Sequence, residues 1–231
     1  MRHVPSSLVG VGLYTPAEAG RLVQVPAGKI TRWLRGHDLK GRYYEPLWEP
    51  LVDLGDDGIF LGFRDLMEVR VAAAFIAKGL SPQKVRRAII LAREIIDDER
   101  PLSTTRFRTD GRSVFLQVAE ENGTAKLIDL FKQQYAFREI VERSLKNIDF
   151  DDAGTPARWW PLGRTAAIVI DPSRSFGAPI ERDSAVPTEV LASAARAEGS
   201  VERAALAWQV PVRSVRRAVA FEAELRRRKA A

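Results

Sequence analysis

The sequence predicts an α+β, mainly helical chain in three parts. Two observations carry that expectation. Apolar residues recur at helical spacing through much of the 231 residues, with only short β-branched or aromatic runs between them. A helix-turn-helix pattern also occurs twice, once near each end. The parts expected are a winged helix-turn-helix over 1–100, a central β-hairpin and mixed segment over 101–170, and a three-helix helix-turn-helix unit over 171–231.

The two copies read GRLVQVPAGKITRWL at 20–34 and ALAWQVPVRSVRRAV at 205–219. Aligning Gln24 with Gln209 sets Gly20 against Ala205, Val25 against Val210, Pro26 against Pro211, Ile30 against Val215 and Arg32 against Arg217. A small residue on the first helix lets the second approach. An apolar residue plugs the turn, and a β-branched residue five positions later anchors the second helix. Its outer face is then free for a major groove. The same geometry serves protein docking, so the second copy is open between DNA and a partner.

Charge follows the copies. Net charge is +6, yet residues 1–44 hold seven Lys/Arg against two acids and residues 196–231 hold nine against four, while residues 45–62 hold five acids and no base. Clustered cations at the two ends are the footprint of a phosphate-binding face. Cysteine is absent and only His3 and His37 are available, which removes disulfides and thiolate metal sites and makes zinc improbable. No cofactor is expected. The sequence has no 18-residue apolar run and no signal-like start, so a cytoplasmic chain without membrane contact is expected.

In the first part, Thr15 is the expected N-cap, with Pro16 at the first helical position and Glu18 completing a capping box. Helix one is placed at 16–23 and helix two at 26–35, ended by Gly36. The exposed residues of helix two supply the candidate DNA contacts Gly28, Lys29, Thr31, Arg32 and Arg35. Residues 41–62 read as a β-ribbon wing turning at Asp57-Gly58, with Arg42 and Tyr43 toward DNA and Trp48 packed inward. Helices follow at 64–78 and, capped by Ser81, at 82–97.

In the middle, Arg106–Thr109, Asp110-Gly111 and Arg112–Leu116 read as a tight β-hairpin. A helix is expected at 134–146 and a strand at 166–170. Trp159 and Trp160 cannot share one core if the segment is extended, because alternate residues face opposite sides. In the last part, Ser200 caps a helix at 201–208 and a second runs from Pro211 to about 228, offering Arg213, Ser214, Arg216 and Arg217 as further DNA contacts.

No nucleophile–base pair, phosphate loop or ligand-spaced set of His, Asp and Glu is present, so no enzyme is expected. Gly10-Val11-Gly12 lacks a third glycine and reads as a flexible arm. The acid pairs Asp97-Asp98, Glu120-Glu121 and Asp151-Asp152 are adjacent rather than converging and read as solvated element ends.

Residues 13–36 (LYTPAEAGRLVQVPAGKITRWLRG) and 63–96 (FRDLMEVRVAAAFIAKGLSPQKVRRAIILAREII) resemble the MerR-type winged helix. That resemblance implies that helix two reads the major groove, that the wing touches backbone and that dimers bind pseudo-palindromes. The chain departs from it in lacking the long coiled-coil helix and any cysteine cluster. Residues 171–225, with IDP…FGAPI and GSVERAA, resemble a small helix-turn-helix domain of unknown function common in bacterial antitoxins. The order of parts, including FRTDGRSVFLQ and FDDAGTPARWWPLG, resembles the large VapB-type antitoxins over about residues 13–225. This implies a homodimer that represses its own operon and silences a PIN-domain ribonuclease. Basic side chains pairing with the nuclease carboxylates offer a route to inhibition. The candidates are Arg158, Trp159, Trp160 and Arg164, and the tail Arg226, Arg227 and Arg228. A stand-alone MerR-like regulator with a ligand in its central segment, and a DNA-bridging accessory factor, stay open as alternatives.

Overall fold

The computed structural model describes residues 10–54, 58–121 and 134–230. The fold is α+β and mainly helical. The first helix-turn-helix is α1 (Pro16–Val23) and α2 (Ala27–Arg35), followed by a hairpin of β1 (His37–Leu39) and β2 (Arg42–Tyr44). Helices α3 (Phe63–Ala77), α4 (Pro82–Ile96), α5 (Thr105–Glu121) and α6 (Gln134–Ser144) follow. A four-stranded antiparallel sheet comes next, with β3 (Ile148–Phe150), β4 (Pro156–Trp159), β5 (Ile168–Ile170) and β6 (Pro179–Glu181) in sequential order. The chain ends in α7 (Thr188–Ala197), α8 (Val201–Ala207) and α9 (Val212–Ala230).

The expected caps form. Glu18 N donates to Thr15 Oγ1 while Thr15 N donates to Glu18 Oε2, closing the box. Ser81 and Ser200 cap α4 and α8 through the amides of Lys84 and Arg203. Gly10–Gly12 is not a flexible arm. Val11 O accepts from Phe63 N at 2.7 Å, and a Cβ on Gly12, held at φ +74°, would press on Tyr14 and Phe63.

The hairpin expected at 106–116 does not exist. Those residues lie inside α5, capped by Thr104 Oγ1 accepting from Phe107 N. Asp110-Gly111 suggested a turn, but Phe107, Val114, Phe115 and Val118 share the helix's buried face. Gly111 serves that face by being bare. A Cβ there would sit 2.4 Å from the Phe107 ring. Phe107, Phe115, Phe75 and Phe137 then pack as an aromatic cluster, with Phe75 stacked on Phe115 at 4.3 Å and edge-on to Phe107 at 6.2 Å. Burial of four rings outweighs the local preference of one dipeptide.

The strand pairing also differs from the ribbon expected over 41–62. A hairpin spans 37–44, turning at Lys40-Gly41, both at positive φ as a two-residue primed turn requires. Residues 59–61 make only isolated bridges, Val52 to Phe60 and Tyr14 to Leu61. Asp57, half of the expected turn, lies outside the described residues.

One hydrophobic core runs from Tyr14 through α1–α6 to Ile170 and takes in Phe221 and Leu225 of α9. The C-terminal helices add a smaller core around Leu191, Ala204, Ala205, Val215 and Ala218. Trp159 and Trp160 do face opposite sides, but both sides are covered. Trp159 enters the large core, and Trp160 packs with Val169 and Ile180.

A buried polar network crosses the large core. Asp65 and Glu68 on α3 are fully buried, and Arg100 is 2% exposed. Asp65 Oδ1 accepts from Arg100 Nε at 2.5 Å and from Trp48 Nε1 at 3.1 Å. Its Oδ2 accepts from the amides of Leu51 and Gly62. Glu68 accepts from the amides of Leu102 and Ser103, each at 3.0 Å. Burial nevertheless pushes Glu68 up to about 7, against the opposing pull of the Leu102 amide, Arg100 and Ser103.

The folded chain therefore keeps a proton on Glu68 that the unfolded chain releases near the ordinary value of 4.5. That contribution to stability is complete below the lower value and is lost as pH rises through about 7. Glu68→Gln turns an NH2 group against a backbone N–H, and we expect it to cost about 1–3 kcal/mol. Because glutamine cannot titrate, the gap from wild type in denaturant unfolding should be wider at pH 5 than at pH 8. A gap independent of pH would exclude this protonation.

Candidate nucleic-acid interface

The two helix-turn-helix copies share a backbone. Val25 N donates to Gly20 O at 3.2 Å, and Val210 N donates to Ala205 O at 3.0 Å. Gln24 and Gln209 both sit at positive φ, 61° and 52°. Ile30 and Val215 are both fully buried, as the anchoring role requires. In the first copy a Cβ on Gly20 would lie 2.4 Å from Val25 O, so the helices meet at backbone distance.

Their outer faces differ. On α2, Gly28, Arg32 and Arg35 are exposed, and Lys29 and Thr31 are half-buried. Gly28 has open space where a side chain would stand. Lys29 lies over the Trp33 ring, 5.1 Å from its centroid, which leaves the ammonium at the surface. Neither Lys29 nor Arg32 makes an ion pair among the described residues. In the hairpin, Tyr43 is exposed and donates to Arg35 O at 3.3 Å, Arg42 lies over Tyr44, and His37 stacks on Tyr44. The hairpin is thus attached to the C-terminal end of α2, and Arg42 and Tyr43 remain at the surface beside it.

On α9 the equivalent cations are engaged at home. Arg217 Nη1 donates to Glu181 Oε1 at 2.9 Å and to Asp183 Oδ2 at 2.8 Å. Arg213 pairs with Asp183 and Arg216 with Glu202, each at 3.5 Å. Asp183 is held below its usual range by Arg217 first and Arg182 second, and Arg217 is raised by Asp183 and then Glu181. Glu181 is lowered although burial acts the other way, because the Ser184 amide and Arg217 outweigh it. Ser214 is fully buried and does not belong to an exposed reading face. The sequence signal for this difference was the acidic turn Glu181-Arg182-Asp183, which was not connected to the helix 30 residues later.

The central arginines are likewise occupied. Arg158 pairs with Asp171 at 3.1 Å, and Arg164 pairs with Asp149 while lying over Trp160. Trp159 and Trp160 are buried, so neither is a surface anchor. In the tail, Arg226 is exposed with no ion pair among the described residues, and Arg227 pairs with Glu224. The Arg228 side chain lies outside the described residues. Among the described residues, no helix is long and apolar enough to cross a membrane, and no three of His, Cys, Asp or Glu are grouped to hold a metal.

The chain thus carries two helix-turn-helix units on an α+β scaffold, one whose Lys29 and Arg32 make no ion pair among the described residues and one whose Arg213, Arg216 and Arg217 are paired. Over 192 residues the chain is 30% identical to the protein named "Putative antitoxin VapB45" from Mycobacterium tuberculosis (strain ATCC 25618 / H37Rv), covering 76% of this chain and 79% of that one. The chain belongs to that VapB-type antitoxin family. Its fold is similar to the crystal structure of Rv2018 from Mycobacterium tuberculosis, with a TM-score of 0.70 and 27% identity, over 91% of this chain and 99% of that one. No family model matches the chain.

Arg217 has a structural consequence that Arg32 lacks. Arg217→Ala strips the cation from fully buried Glu181 and is expected to lower the melting midpoint by several degrees. Arg32→Ala should leave the midpoint unchanged. Thermal unfolding of the two variants side by side checks this, and equal effects would contradict the pairing described.

Proposed function

We propose that the chain is the antitoxin of a type II toxin–antitoxin module, repressing its own operon and silencing a PIN-domain ribonuclease. Membership of the VapB-type family supports the partner class. The observation that carries the DNA half is the row of outward residues on α2. Gly28, Lys29, Thr31, Arg32 and Arg35 lie on a helix whose start is open, with Arg42 and Tyr43 on the hairpin beside it. A helix for the groove and a hairpin for the adjoining phosphates is the division of contacts in a winged helix. We assign residues 1–100 to this MerR-like reading head, 101–170 to the connecting body and 171–231 to partner contact. A homodimer placing two heads on a pseudo-palindrome completes the proposal.

The C-terminal copy is better suited to protein than to phosphate. Its cations already face acids of the same chain, and each would have to exchange partners to meet DNA. For inhibition by a cation placed among nuclease carboxylates, Arg226 is the candidate among the described residues that makes no ion pair. Arg158 and Arg164 must break pairs with Asp171 and Asp149 to act in that way.

Gel-shift titration on the DNA upstream of the gene tests the reading head. Lys29→Ala and Arg32→Ala should each weaken specific binding by about 1–3 kcal/mol if they reach base edges. If they meet phosphates only, the loss should be equal on every sequence and the salt slope should fall by about one per residue. Arg217→Ala should leave affinity per folded molecule unchanged. Unaltered binding in both α2 variants would remove the proposal for this helix.

A further inference from the structure

A groove of about 740 Å³ runs between α1 of the first helix-turn-helix and α7 of the last unit. Its lining includes Leu13, Leu22, Pro179, Val190 and Leu225, and Phe176 and Trp208 stand on its rim, 62% and 45% exposed. The volume suits a few side chains of a docked segment.

Its charge is one-sided. Glu18, Glu189, Glu198 and Glu222 line it against Arg21 alone. Glu18 is committed to its capping box and Glu222 accepts from Thr188 Oγ1 at 2.6 Å. Glu189 and Glu198 are exposed and make no ion pair among the described residues. A smaller cleft of about 150 Å³ continues past Arg21 and Glu189 to Arg196 and Arg226, so the positive charge collects at one end only.

The rim is held in an unfavourable backbone. Ser175 and Phe176 are consecutive non-glycine residues at positive φ, 47° and 51°. Leu13 N fixes the second by donating to Phe176 O at 2.9 Å. Gly177 follows, and Tyr14 Oη donates to its carbonyl at 2.8 Å. The strain holds a phenyl ring out at the groove's edge, where it gains little from the core. Strain of this kind persists where the surroundings enforce it, and a bound partner gives the exposed ring a use.

We infer that this groove receives an amphipathic segment of the partner protein, its apolar anchors between Phe176 and Trp208 and its Lys/Arg residues against Glu189 and Glu198. That the partner is the toxin rests on the function proposed above. The groove itself does not.

The probe is a fluorescein-labelled synthetic peptide of about 14 residues, leucine and lysine in helical register, titrated into the full chain by fluorescence anisotropy. We expect saturable binding, and none by a leucine–glutamate counterpart. Ser193→Trp fills the groove from an exposed position of α7. Glu189→Lys with Glu198→Lys reverses its charge. Each should weaken binding at least tenfold at an unchanged melting midpoint. Phe176→Gly relieves the left-handed strain, so it should raise the midpoint while weakening binding, an outcome a purely structural role does not give. No binding by the wild-type chain, or equal binding by Ser193→Trp, overturns the inference.

Co-expression with the protein encoded by the adjacent gene separates the two claims. Peptide binding in the groove without capture of that protein sinks the toxin partner and leaves the groove. Capture by wild type and Ser193→Trp alike sinks the groove as its dock and leaves the partner.

Discussion

The architecture depends on two carboxylates buried in α3. Taking Asp65 and Glu68 out of water is costly unless each oxygen finds a donor, and each does. Among the described residues one cation, Arg100, is buried with them, and it pairs with Asp65. Glu68 is left with backbone amides and is pushed toward its neutral form. One carboxylate per cation leaves the network close to neutral, which is how an apolar core can hold it. The donors come from three separate places: the loop after the β1–β2 hairpin, the start of α3 and the connection from α4 to α5. A single helix face therefore fixes the chain on both sides of it. A shift of the loop carrying Trp48 and Leu51 takes two of the four donors from Asp65, and a shift of Arg100–Ser103 takes the cation from Asp65 and both amides from Glu68.

The helical parts of this fold were legible because each had a local reason. Caps at Thr15, Ser81 and Ser200 and the stripes of α3 and α4 act within a few residues of themselves. The repeat was legible as a pattern of residue types, and the structure adds that Gln24 and Gln209 adopt the same left-handed turn. What failed were places where a distant surface decides. Asp110-Gly111 is a turn signal only while nothing else packs on it, and the ring of Phe107 claims the space beside the bare glycine. Trp159 and Trp160 do alternate, but the chain buries both faces, and cover for Trp160 comes from Val169 and Ile180 on β5 and β6, which local spacing cannot foretell.

Site residues divided along the same line. Exposure of Gly28, Arg32 and Arg35 follows from helical phase on α2, which sequence gives directly. The state of a charge on α9 does not. Arg217 occupies the position of Arg32, but its environment is set by Glu181 and Asp183, brought across by the end of β6. The acids that pair with Arg217 lie 34 and 36 residues before it. A charge count over 196–231 cannot see them, and its net positive value overstates the cation available to a phosphate.

The groove between α1 and α7 joins these themes. The chain links its first and last units through Leu13 and Tyr14, which hold the carbonyls of Phe176 and Gly177, and the same pair leads directly into the cap of α1. Burial, then Asp171 and Glu18, raise the Tyr14 phenol far above its ordinary value, so it stays a neutral donor across the accessible pH range. A segment seated against Phe176 would press on the residues that position α1, the first helix of the N-terminal helix-turn-helix. Thermodynamic linkage makes such an effect reciprocal: whatever factor a bound partner imposes on DNA affinity, DNA imposes on the partner. A groove remote from α1 could serve docking alone. On the function proposed above, one walled by α1 would place partner binding and operator binding on a shared element, which is the arrangement a repressor needs if its partner is to report on its own abundance.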